Sequence, residues 1–246
     1  MSYTEDYLLN KRVKIFQPTD GYRAAIDAVF LAAMIDAQKV KAGMKILDVG
    51  SGTGAVSLCI AERLQDKKIE ITGLEIQKDL VELATKSAAT NKFDFLHYEW
   101  CDIREKNNDK ASKYDIVISN PPYSDHDMPS PNKSKKQAHN MENFDLAKWM
   151  STCLKMLKPK GYIALINRVE AINEILRAMH NKAGNVQILP LYSKQGQEAK
   201  RIIVIAQKGS HAPTIILPPL YIHNEDGNYS ENAEKILRQA QGYFEL

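Results

Sequence analysis

From Met44 onward the chain alternates short apolar runs with segments of helical period, and this alternation restricts the fold more than any other feature. MKILDV, IEITGLE, FLHYEW, YDIVISN, YIALIN and VQILPL read as strands; VSLCIAERL, LVELATKSAA, LAKWMSTCLKML and AINEILRAM read as the helices between them. A helix between successive strands is the connection that parallel pairing requires, so a mostly parallel sheet covered by helices on both faces is expected. RIIVIAQ follows LYSKQGQEAK without an intervening helix, and is expected to return antiparallel, as a seventh strand, in a hairpin at the sheet edge. At 246 residues and 44% hydrophobic content, one α/β domain over residues 1–246 is expected. Its parts are a lead-in over 1–43 with one clear helix (AAIDAVFLAAMI), a core over 44–209, and a Pro-containing extension over 210–246 that closes on a short helix.

In sheets of this kind ligands bind outside the carboxyl ends of the strands, near the point where strand order reverses. The first strand runs into ILDVGSGTGAVSL, with Gly50, Gly52 and Gly54 in the turn before a helix. Glycines let the backbone turn tightly and approach a ligand, and the helix start supplies free N–H groups. Gly50-x-Gly52-x-x-Ala55 also satisfies the dinucleotide fingerprint, and Glu75 ends the second strand at the right distance to accept from a ribose hydroxyl. A nucleoside cofactor follows on either reading. Asp48, two residues before the first glycine, would repel a pyrophosphate but suits a ligand with an ammonium and a sulfonium, which favours S-adenosylmethionine over NAD. Asp102, just after the third strand, would then reach the adenine amine. The expected cofactor set is Asp48, Gly50, Ser51, Gly52, Gly54, Glu75, Ile76, Asp102, Ile103 and Asn120.

The fourth strand ends on Asn120, Pro121, Pro122 and Tyr123, on the same rim. An aromatic amine is a poor nucleophile because its lone pair is delocalised into the ring. Two acceptors on its two N–H bonds would draw that pair out: the Asn120 side-chain oxygen, and the Pro121 carbonyl, whose direction Pro122 stiffens. Tyr123 could stack on a planar base. These four are the expected catalytic residues. An Asn-Pro-Pro turn without chemistry is the plain alternative.

The formal charge of +3 is too small for a general polycation, so any nucleic-acid contact must be local. Residues 131–160 carry seven lysines, including Lys133, Lys135 and Lys136, against Glu142 and Asp145. The segment SDHDMPSPNKSKKQAHNMEN that holds these three is longer than ordinary connections, and its lysines are expected to guide RNA. Cys59, Cys101 and Cys153 are widely spaced, and no histidine cluster is evident, so no disulfide framework and no metal site are expected. The N-terminus lacks the apolar stretch of a signal peptide and no run is long enough to span a bilayer, which points to a soluble, cytoplasmic protein.

DVGSGTG with Glu75, Asp102 and NPPY resembles the S-adenosylmethionine-dependent amino-methyltransferases, whose NPPY-type tetrapeptides bind adenine, cytosine or glutamine amide groups. LLNKRVKIFQPTDGYRAAIDAVFLAA and EAKRIIVIAQKGSHAPTIILPPLYIHNEDGNYS extend the likeness to the bacterial tRNA (adenine-N6)-methyltransferases that act on the adenosine 3′ to the anticodon of a valine tRNA. The resemblance implies a Rossmann-like class I methyltransferase fold, S-adenosylmethionine as cofactor and a tRNA substrate. It also implies a lead-in helix (Gly21 to Ala33) over the cofactor, with Arg23 and Asp27 near the site. NPPY alone equally admits a glutamine N5-methyltransferase acting on a release factor, or another nucleic-acid amino-methyltransferase. The former usually carries a separate helical domain before the glycine loop, where this chain has 43 residues. A noncatalytic RNA-binding or nucleotide-sensing scaffold would predict a degraded glycine loop or NPPY, and both are intact.

Overall fold

The computed structural model describes residues 2–21, 23–104, 110–122 and 144–246. An antiparallel hairpin of β1 (Tyr3–Leu8) and β2 (Val13–Pro18) leads into α1 (Ile26–Ala33). The sheet strands follow: β3 (Lys45–Val49), β4 (Glu70–Glu75), β5 (Leu96–Trp100), β6 (Tyr114–Ser119), β7 (Leu157–Arg168), β8 (Ala183–Tyr192) and β9 (Ala199–Lys208), with the two-residue β10 (Ile215–Ile216) and β11 (Leu220–Tyr221). Between and after them lie α2 (Ala55–Arg63), α3 (Lys78–Thr90), α4 (Leu146–Met156), α5 (Ile172–Met179) and α6 (Glu231–Gln239).

The order across the sheet is β5-β4-β3-β6-β7-β9-β8-β10, with β11 also paired to β8. The seven long strands are the seven apolar runs of the sequence. Pairing is parallel from β5 to β7, and β9 is antiparallel to both β7 and β8. The β8–β9 hairpin therefore closes one end of the sheet, with β9 as its inner member. Burial explains the placement: Ile202, Val204 and Ala206 pack on one face and Ile203 and Ile205 on the other, so β9 needs neighbours on both sides. The more exposed β8 takes the outer position and the two short strands.

Alternation of side chains splits the core into two layers. Ile46, Ile118, Ala164, Ile166, Ile203 and Ile205 face α1, α2 and α6; Leu47, Val117, Ile163, Leu165, Ile202 and Val204 face α4 and α5. The β1–β2 hairpin has no counterpart in the sequence reading, because YTEDYL leaves every residue at least partly exposed and offers no apolar face. Its support comes from α3: Phe16 N donates to Ser87 Oγ (3.0 Å), and Lys14 N donates to Asn91 Oδ1 (2.9 Å).

Candidate active site

Strand order reverses between β3 and β6, and the glycine loop opens at that point. Beyond Val49 the backbone turns over the end of β4, where the N–H groups of Gly50 and Ser51 both donate to the Leu74 carbonyl (2.9 and 3.0 Å). Gly52 has φ +56°, and no described atom lies within 4 Å of where a Cβ would stand, so the loop presents bare backbone outward. Gly54 caps α2 at φ +86°, and a Cβ there would overlap the Tyr98 hydroxyl. Tyr98 reaches from β5 beneath the loop and shares a hydrogen bond with Ser57 Oγ (3.0 Å). Burial pushes its phenol well above the usual range.

Two carboxylates face the loop. Asp48 is 1% exposed; its Oδ2 accepts from Ser57 N (3.2 Å), while its Oδ1 has no hydrogen-bond partner among the described residues. Burial, aided by the like charge of Glu75, raises its pKa from 3.8 to about 7. Glu75, also buried, accepts from Gly52 N at Oε2 (3.0 Å) and from Gln77 N at Oε1 (2.8 Å). Burial raises its pKa against the pull of these donors. Ser51 Oγ is a second buried atom without a described partner. Buried polar atoms are normally paired, so an unpaired acid oxygen and hydroxyl beside bare glycine backbone fit a ligand that brings a cation and hydroxyls.

Asp102 is partly exposed and gripped by Arg104, whose Nε donates at 2.9 Å to Oδ1 and whose Nη2 donates at 2.6 Å to Oδ2. That hydrogen bonding holds its carboxyl below the usual range. Ile103 is buried and Ile76 lies exposed on the rim, its carbonyl accepting from the Trp100 indole (2.8 Å). On the other side of the loop, Ser119 ends β6, Asn120 is half-buried, Pro121 is buried and Pro122 is exposed. Tyr123, Lys133, Lys135 and Lys136 lie outside the described residues. Arg23 is tied to the hairpin through Asp6 (2.5 Å) and Thr4 (2.9 Å). Asp27 pairs with Arg201 of β9 (3.2 Å), which stands opposite Arg168 at the carboxyl end of β7, on the rim.

Three residues of this neighbourhood escape the sequence reading: Tyr98, Ser119 and Trp149. Trp149, on α4, donates from Nε1 to Ser119 Oγ (3.0 Å), and its ring carbons stand 3.0 and 3.1 Å from a Cβ built on Gly50. Among the described residues no cluster of three or more His, Cys, Asp or Glu could hold a metal ion, and no helix is long and apolar enough to cross a membrane.

A glycine loop after the first core strand, an acid ending the second and an antiparallel strand inserted near the far edge define the class I S-adenosylmethionine-dependent methyltransferase fold. The profile of the family described as a methyltransferase domain matches residues 40–209, and the chain belongs to that family. It is 26% identical over 220 residues, 88% of this chain and 89% of the relative, to the tRNA1(Val) (adenine(37)-N6)-methyltransferase of Dyadobacter fermentans. It is 28% identical over 218 residues, 83% of each chain, to the protein of the same name from Glaesserella parasuis. Among solved structures, a predicted O-methyltransferase from Agrobacterium tumefaciens shares the fold with a TM-score of 0.73 at 23% identity, covering 88% of this chain and 98% of that one. The Thermus thermophilus 16S rRNA N2 G1207 methyltransferase, solved with AdoMet and guanosine, superposes with a TM-score of 0.59 at 16% identity, over 84% of this chain and 50% of that one.

Proposed function

We propose that this methyltransferase acts on the exocyclic N6 amine of an adenosine in RNA, in a tRNA anticodon loop. The observation that carries the reading is the position of Asn120-Pro121-Pro122, one residue beyond the Ser119 hydroxyl that is bonded to Val49 at the start of the glycine loop (2.7 Å). Donor and acceptor groups of a transfer reaction must meet at near-contact distance, and the nearness of Asn120 to the start of the glycine loop supports this reading. The names carried by the relatives above support adenine in tRNA as the target. An anticodon-loop base is also easier to bring into such a site than one inside a duplex.

S-adenosylmethionine supplies an electrophilic methyl group when bound. Asp48, Gly50, Ser51, Gly52, Gly54, Glu75, Ile76, Asp102 and Ile103 are the residues that would hold it, with the unpaired Asp48 oxygen suited to its cationic end. Asn120 Oδ1 and the Pro121 carbonyl would accept the two N–H bonds of the target amine and keep its lone pair directed at the methyl group. Tyr123 would supply the stacking surface, and Lys133, Lys135 and Lys136 would contact phosphates, making binding salt-dependent.

The test is incubation with labelled S-adenosylmethionine and either unmodified total tRNA or a release factor, followed by nucleoside and peptide mass spectrometry. N6-methyladenosine in tRNA is expected, and Asn120→Ala should lose roughly 100-fold in turnover while cofactor affinity holds. Label in a glutamine of the release factor and none in tRNA would overturn the RNA assignment.

A further inference from the structure

We propose that Trp149 and Ser119 form a positioning pair that sets the acceptor strand against the glycine loop. The proposal rests on the reading that Asn120 binds the acceptor. The β3–β6 ladder ends at the pair Asp48↔Ile118. One residue further, at Val49 and Ser119, the two strands are joined by a side chain: Ser119 Oγ donates to the Val49 carbonyl at 2.7 Å. This is the level at which the loop leaves one strand and Asn120 leaves the other. Ser119 is 1% exposed, so water does not compete for the bond.

A serine hydroxyl has one hydrogen. With that hydrogen given to Val49, its lone pairs remain to accept, and Trp149 Nε1 donates to it at 3.0 Å. The chain Trp149 N–H to Ser119 O–H to Val49 C=O therefore runs in one direction. The same indole braces Gly50, where a Cβ would meet its ring at 3.0 and 3.1 Å. The ring is itself held by Phe144, with centroids 5.4 Å apart. Trp149 thus touches both halves of the rim, with its N–H on the acceptor side and its ring on the loop side.

Four variants and a common set of readouts test the pair. Trp149→Phe keeps an aromatic side chain on α4 but removes the donor, and with it the outer ring carbons that reach Gly50; turnover should fall roughly tenfold, with the Michaelis constant for RNA within about twofold. Ser119→Ala should match it and also lower the unfolding temperature, because the part-buried Trp149 N–H loses its acceptor and the buried Val49 carbonyl loses its donor. The double variant removes the Trp149 donor as well and should recover part of that stability, the Val49 carbonyl still lacking its donor, while turnover stays low. Turnover within about twofold of the unmodified enzyme in Trp149→Phe, or recovered with stability in the double variant, would reduce the pair to core packing and overturn the proposal. Trp149→Ala also unbraces Gly50 and should weaken S-adenosylmethionine binding, read by calorimetry without any acceptor, at least about fivefold; unchanged affinity overturns the loop half. Asn120→Ala, run alongside, separates the two ideas. Full turnover in that variant defeats the acceptor reading, whatever the Trp149 and Ser119 variants show.

Discussion

At Asp48 a carboxylate stands where solvent does not reach, held on one oxygen by the Ser57 backbone N–H. Desolvation favours its neutral form, the nearby Glu75 adds like-charge repulsion, and the folded pKa rises from 3.8 to about 7. The sign follows from proton linkage. Between the unfolded value of 3.8 and about 7 the folded state binds more protons than the unfolded state, so this group's contribution to stability is full below 3.8 and lost as pH rises through about 7. Asp48→Asn, which cannot ionise, should unfold at a higher temperature than the unmodified protein near pH 8, and the gap should close on acidification toward about pH 4. A cationic ligand reverses the preference, since its charge favours the carboxylate. Cofactor affinity should therefore climb about tenfold from about pH 6 to about pH 8 and be flat in Asp48→Asn. Calorimetry across that window decides it. The same slope in both proteins would place the titrating group elsewhere.

At the scale of elements, the glycine loop and β5 are fitted to each other. Tyr98 passes where a Cβ on Gly54 or on Gly73 would overlap its ring, and its hydroxyl is bonded to Ser57 in the first turn of α2. Gly52 and Gly54 both adopt positive φ, but their surroundings differ: the first faces open space and the second faces the phenol. Gly52→Ala should therefore cost about 1 kcal/mol of backbone strain, whereas Gly54→Ala adds overpacking and should cost roughly 3 kcal/mol. Thermal unfolding checks the ranking, and Tyr98→Ala in the Gly54→Ala background should return part of the loss. Equal shifts from the two glycine variants would contradict the fit. This pairing also shows what a linear chain conceals. Gly50, Gly52 and Gly54 are readable because a tight turn at a strand end demands glycine locally, and inner strands such as β3, β6 and β9 are readable because burial on both faces leaves nearly unbroken apolar runs. Tyr98 looks like an ordinary strand aromatic until the parallel register sets it beside Gly73. Trp149 has the spacing of any apolar helix residue, and its bond to Ser119 spans 30 positions. The β1–β2 hairpin turns through Leu9, Asn10 and Lys11 at positive φ, without the Asn-Gly or Asp-Gly signal of a tight turn.

Across the whole molecule, one buried charge joins the lead-in, the core and the C-terminal extension. Arg63 closes α2 with its side chain 4% exposed. Its Nη1 donates to the carbonyls of Ala32 (2.5 Å) and Ile35 (3.2 Å) at the end of α1, and its Nε donates to Ala240 (3.1 Å) at the end of α6. Glu245 lies 3.5 Å from Nη2. Helix carboxyl ends leave carbonyls unpaired and carry partial negative charge, so a guanidinium shared by two of them satisfies both needs at once. Burial lowers its pKa, but a guanidinium starts so high that it stays charged. Removing it leaves the carbonyls of Ala32, Ile35 and Ala240 without that donor, and opens a void where Gly242 now packs against the guanidinium. Arg63→Ala should then cost roughly 3 kcal/mol or more, lowering the unfolding temperature by about 10 °C. Arg63→Lys keeps the charge but loses the planar fork, and should fall between the two. Glu245→Gln should be nearly silent, because the carboxylate is the most distant partner. Hydrogen exchange gives the sharper readout: if Arg63 ties the two ends to the core, amides of α1 and α6 should lose protection together in Arg63→Ala, while those of β3 and β6 keep theirs. Loss of protection in α6 alone would mean that the lead-in is held by its packing on α2 and needs no charge to keep it there.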